Sequence, residues 1–127
     1  MAQQNLRGYY KVVGPVTYSD GAAAYVVGEI PAKTQVLEQR VIITTAFVGT
    51  SPAIDLGDED DDDCFVGAEE VTEGTIGSYR GDGDPSDTYL GAYYPAKKNI
   101  VMTLGGTDLT AGVAYGILQL LDLSNSV

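Results

Sequence analysis

Apolar and polar positions alternate in short runs along this chain, at the period of two that belongs to extended backbone. Val41, Ile43, Thr45 and Phe47 fall on one face of a β-branched run, and residues 99–104 repeat the pattern before Gly105-Gly106. The same reading predicts strands over 9–13, 22–30, 34–38, 41–47, 53–56, 64–66, 88–93, 99–104 and 113–121. Between them lie turn chemistries such as Gly14-Pro15, Ser19-Asp20-Gly21, Ile30-Pro31, Gly49-Thr50-Ser51-Pro52 and Tyr94-Pro95. Helix signals are poor. The 69–73 stretch could make one turn, but Gly67, Gly74 and Gly77 bracket it. Eight or nine short strands in 127 residues predict an all-β, single-domain β-sandwich or jelly roll, with a small barrel as the remaining choice. Neither an internal repeat nor an interdomain linker is visible, so residues 1–127 read as one domain.

The last predicted strand breaks the alternation. Residues 113–121, Val-Ala-Tyr-Gly-Ile-Leu-Gln-Leu-Leu, become apolar on both faces. Such a strand is either central in a sandwich or covered by another subunit. Leu118 and Leu120 are therefore interface candidates. Tyr9 and Tyr10 join them, because tyrosine buries ring area while its hydroxyl tolerates water. Residues 1–14, which carry that pair, are a candidate assembly arm.

Charge changes the picture next. The net charge is -11, with 18 acidic and 7 basic side chains. Residues 58–87 hold twelve acids and one base, Arg80, while the remaining residues hold six of each. The whole imbalance thus sits in one acidic loop region. A chain this acidic repels phosphate backbones and anionic lipid, which excludes nucleic acid and membrane as expected partners. The N-terminus has no signal-peptide pattern and no apolar run approaches bilayer length, so synthesis in the cytoplasm is expected.

Candidate chemistry is sparse. Without histidine there is no Ser-His-Asp or Cys-His catalysis and no ordinary zinc site. Single Cys64 cannot form an internal disulfide, and its acidic neighbours raise rather than lower its pKa. The run Asp58-Glu59-Asp60-Asp61-Asp62-Asp63 invites calcium, and Asp58, Asp60 and Asp62 fall at the first, third and fifth positions of an EF-hand loop. Asp63 occupies the bend that calls for glycine, however, and the flanks are too glycine-rich for helices. The weight falls on a solvated acidic loop, with that cation site as the alternative. Asp82-Gly83-Asp84-Pro85-Ser86-Asp87 reads as a second acidic turn. No pair among these acids is set apart as a glycosidase pair. The chain reads as a non-enzyme with neither cofactor nor resident metal.

Several segments taken together carry a resemblance. Ile30-Pro31-Ala32-Lys33-Thr34 is followed by Val41-Ile42-Ile43-Thr44-Thr45-Ala46-Phe47-Val48-Gly49-Thr50 at a strand end and by Ile54-Asp55-Leu56-Gly57-Asp58. Further on come a Tyr94-Pro95 turn, Ile100-Val101-Met102-Thr103-Leu104 and Thr110-Ala111-Gly112. Over residues 28–121 this pattern resembles the head decoration, or cement, proteins of tailed bacteriophages. In that family the corresponding motifs are an Ile/Leu-Pro-Ala-Gly turn, Thr-x-Ala-Phe-x-Gly and Ile-Gly-Asp. Lys33 stands here where the family has its turn glycine. The resemblance implies a structural virion protein on the outer capsid surface, a homotrimer whose partner is the major capsid protein and whose work is mechanical. A phage tail or fibre β module and a calcium-dependent binding module are the alternatives.

Overall fold

A computed structural model describes residues 7–81 and 93–124. Among these residues there are six strands: β1 (Arg7–Thr17), β2 (Ala23–Ile30), β3 (Thr34–Asp58), β4 (Gly77–Arg80), β5 (Tyr93–Tyr94) and β6 (Lys98–Asp122). All pair antiparallel. The all-β sandwich expected from the sequence is what forms, with short 3-10 turns at Tyr18–Asp20 and Ala68–Glu70.

The strands are organised differently from the expected short segments. The runs at 34–38, 41–47 and 53–56 are one strand, β3, of 25 residues, and 99–104 and 113–121 are parts of another, β6, also of 25. These two pair along their whole length, from Thr34 opposite Asp122 to Asp58 opposite Ile100. Register shifts between Val36 and Glu38, and at several points from Ile43 to Ala53, bend the ribbon. Turn-like residues such as Gly49-Thr50-Ser51-Pro52 therefore kink a strand without ending it. Ser51 and Asp108 adopt φ of 50° and 54°, and Gly106 and Gly112 φ of 123° and 139°, in this kinked zone.

The bend divides the sheet into two halves. In one, β6 (113–122) lies between β1 and β3 (34–45), with β4 beyond β3. In the other, β6 (100–105) lies between β2 and β3 (53–58). The halves pack face to face. Val36, Val41, Ile43, Leu118 and Leu120 from the first meet Ile54, Leu56, Ile100, Met102 and Leu104 from the second in one buried core. Gly116 marks a close approach: a Cβ there would lie 2.8 Å from Val13 and 3.1 Å from Leu56.

Lys33 explains its place in the sequence pattern. It adopts φ of 58°, the left-handed conformation that glycine accepts without cost. The chain enters β3 through that turn, and the Lys33 carbonyl accepts a 2.8 Å bond from the Leu123 N–H. Of the stretch read as an assembly arm, Arg7 onward is built into the sheet as β1. The strand expected over 88–93 and the turn at Asp82, Asp84 and Asp87 lie outside the described residues, apart from Tyr93 in β5.

Candidate functional site

Two surfaces correspond to the sequence candidates: the acidic segment that follows β3 and the outer face of β1 and β6. The acidic segment is not a free loop. Asp58 ends β3 on its core-facing side and is only 2% exposed. One of its carboxylate oxygens accepts the N–H groups of Asp60 and Asp61, each at 2.9 Å; the other accepts the Tyr94 hydroxyl at 2.7 Å. Tyr94 is itself buried, edge-on to Phe65. A buried carboxylate is tolerated only when its lone pairs are satisfied, and here protein donors satisfy them.

Its neighbours repeat the theme. Asp55 accepts the Ala68 N–H at 2.7 Å and Glu73 accepts the Ile54 N–H at 3.1 Å. Glu70 accepts the Gly67 N–H at 3.0 Å, and Glu59 reaches the Asn99 N–H at 2.9 Å. Asp60 pairs with the Lys98 ammonium. Residues 59–76 contain little regular structure, so several of their backbone donors, those of Asp60, Asp61, Gly67 and Ala68 among them, find no backbone partner. Carboxylates supply those partners and strap the segment to the second half of β3 and the start of β6. The acidic segment is thus solvated and stapled at once: Asp58 is buried, while Glu59, Asp60, Asp62, Asp63 and Glu69 stay exposed.

The cation alternative fares differently from its sequence spacing. The structure does not gather Asp58, Asp60 and Asp62: Asp58 is spent on protein donors and Asp60 on Lys98. The carboxylates that do come within 4.8 Å of one another are those of Asp61, Asp62 and Asp63, at or near the surface. A side-chain hydrogen bond to Asp61, with a smaller part from burial, raises the Asp63 carboxyl to about 6. Burial also raises Asp55 and Glu73, opposed in each by the backbone N–H it accepts. Cys64 is buried, and burial and then the Asp58 charge push its thiol well above the ordinary value. It is no nucleophile.

On the other surface the register sorts the interface candidates. Leu118 and Leu120 point into the core and are fully buried, so they offer nothing to a partner. Tyr9 lies opposite Leu120 and packs against the core. Tyr10, opposite Gln119, faces outward and is 69% exposed. Its outward companions are Val12 on β1, Tyr115 and Ile117 on β6, and Ile42 on β3. Sequence reading missed those four. The doubly apolar strand did announce that both faces were covered or coverable; only the pairing shows that even positions face in and odd positions face out.

No protein-family model matches the chain, and neither does any curated protein sequence. The fold, however, is shared with chains of two phage capsid structures. One belongs to the capsid asymmetric unit of cyanophage Pam1, at a TM-score of 0.65 and 15% identity, covering 91% of this chain and 86% of that one. The other belongs to the acidic stable capsid of Helicobacter pylori bacteriophage KHP30, at 0.61 and 10% identity, covering 91% of each. At such identities the likeness is one of architecture. It spans the bent ribbon and its flanking strands rather than a fragment.

Proposed function

We propose that this chain is a structural virion protein, a decoration or cement protein that binds the outer surface of a phage head and stabilises the shell. The observation that carries the reading is the fold shared with two capsid-structure chains over nine-tenths of this one. The motif resemblance over residues 28–121 points the same way. So does the chemistry: Asp55, Asp58, Glu59, Glu70 and Glu73 hold backbone, which suits a mechanical role. In this reading the chain works as a homotrimer against the major capsid protein. Each copy bridges neighbouring shell subunits and buries surface that the bare shell exposes. Strongly acidic turns on the solvent side keep particles apart by like-charge repulsion.

The test is addition of purified chain to heads that lack it, followed by sedimentation and heating. Saturable binding at hundreds of copies per head, with a raised temperature of head disruption, is the expected result. A few copies per particle, or none, overturns the reading; a few copies confined to the tail would assign the chain to tail or fibre.

A further inference from the structure

Where β1 turns into β2 the surface folds inward around a cleft of about 370 Å³. It is lined from β1 by Gly14, Pro15 and Val16, from the 3-10 turn by Asp20, and from β2 by Tyr25 and Val26. Clefts that hold ligands begin at about 300 Å³. Two pairing irregularities shape this one. The β1–β6 register shifts between Val13 and Val16, and the β2–β6 register between Val26 and Gly28. Both strands therefore buckle beside the cleft, as strands do where side chains are re-aimed toward a site.

The polar side chains of the cleft are held in place by the fold itself. Asp20 Oδ2 accepts the Thr17 N–H at 2.8 Å and the Thr17 hydroxyl at 3.1 Å. Among the described residues nothing donates to its Oδ1, and no basic group pairs with the carboxylate. The Tyr25 hydroxyl donates to the carbonyls of Asp20 and Gly21, 2.6 Å from each, which fixes the tyrosine against the turn. Pro15, Val16 and Val26 are apolar, and Val26 is 66% exposed. None of the lining residues is basic. A fixed carboxylate and an aromatic ring beside aliphatic walls match a cationic head on an apolar stem.

We infer that this cleft takes the side chain of a lysine or arginine presented by a partner protein. The stem covers Pro15 and Val26 while the ammonium or guanidinium reaches Asp20 Oδ1. Charge selects that occupant. An acidic group would meet the Asp20 charge with no cation to offset it, and the net charge of -11 opposes its approach. A neutral apolar side chain would cover the same walls but strip water from an unpaired carboxylate. Because Asp20 and Tyr25 are already fixed, little ordering is left for binding to supply. Asp20 stays open to water, so one side chain on its own binds in the millimolar range. The inference is independent of the capsid reading and holds whichever protein carries the basic residue.

Two-dimensional NMR of the nitrogen-15-labelled chain tests this. The probes are capped Gly-Arg-Gly and Gly-Lys-Gly up to about 20 mM, capped Gly-citrulline-Gly (the arginine shape without its charge) and putrescine. Expected are saturable shifts at Gly14, Val16, Asp20, Tyr25 and Val26 with at least one basic peptide. The dissociation constant should be at least fivefold weaker for the citrulline peptide and in Asp20→Asn. That variant keeps an oxygen for Thr17 and loses only the charge, and its spectrum reports whether the fold is intact. Asp62→Asn removes one charge from the exposed acidic segment and should bind as wild type does. Shifts that fail to saturate, or that centre on residues 58–73, overturn the inference. So does equal binding of the citrulline peptide, or a loss in Asp62→Asn as large as in Asp20→Asn. Putrescine binding more tightly than either basic peptide overturns the protein source and assigns the cleft to small free amines.

Discussion

Replacing Asp58 by alanine removes the acceptor of three hydrogen bonds in a nearly solvent-free position. The Tyr94 hydroxyl loses its 2.7 Å partner inside the core, and the Asp60 and Asp61 N–H groups lose the bonds that form the turn after β3. Hydrogen bonds to a charged group contribute about 1.5–3 kcal/mol each. Relief of repulsion among the neighbouring carboxylates offsets part of this. The expected net loss is about 3–5 kcal/mol, or roughly 10–20 °C in Tm for a domain of this size. Urea and thermal unfolding of Asp58→Ala, Tyr94→Phe and the double variant measure it, and the double-mutant cycle isolates the Tyr94–Asp58 bond. Asp62→Ala is the internal control, because that side chain is exposed on the same turn; it should change stability by less than about 0.5 kcal/mol. If Asp58→Ala costs no more than Asp62→Ala, the acidic run is solvated without being fastened and the stapling account is wrong.

Further outcomes follow from the same geometry. The raised carboxyls of Asp63 (to about 6), Asp55 and Glu73 lend stability that is complete below their ordinary values near 4. It is lost as pH rises through the folded values. Urea midpoints should therefore fall between pH 4.5 and 7, less steeply in Asp63→Asn; midpoints that rise over this range would contradict the assignment. Lys33→Gly relieves a left-handed φ and should add roughly 0.5–1 kcal/mol in urea unfolding. Gly112→Ala places a Cβ 2.1 Å from the Phe47 ring at a φ of 139°, and should cost about 2–4 kcal/mol by the same measurement. Cys64 should resist a disulfide reagent at pH 8 in the native protein and react at once in denaturant; rapid native labelling would refute its burial.

The legible parts of the sequence were those decided locally. Alternation found the β segments, and the Gly/Pro punctuation found the places where the backbone turns sharply. It could not tell a bend from an end. Gly49-Thr50-Ser51-Pro52 and Gly105-Gly106 lie opposite one another on β3 and β6, so each kink is carried by its partner's pairing and both strands continue through it. Lys33 was recognised as standing in a glycine position, and the positive φ there supplies the reason. The acidic run was visible as charge, but its roles depend on donors distant in sequence. Tyr94, Asn99 and Lys98 reach Asp58, Glu59 and Asp60 from 36 to 40 residues away, which no spacing rule reveals. The interface candidates show the same limit. Period two identified a strand apolar on both sides, yet which parity faced the core was set by pairing with β1 and β3. That choice buries Leu118 and Leu120 and leaves Ile117 and Tyr115 beside Tyr10.

The central claim is that the chain coats the outside of a phage head, and cryo-electron microscopy of purified particles carrying it tests that most directly. The account predicts ordered density for this bent-ribbon sandwich at symmetry-related positions over the whole outer shell, with the Asp61–Asp63 turn toward solvent. Particles in which the chain is missing from the shell, or confined to the tail, would contradict it.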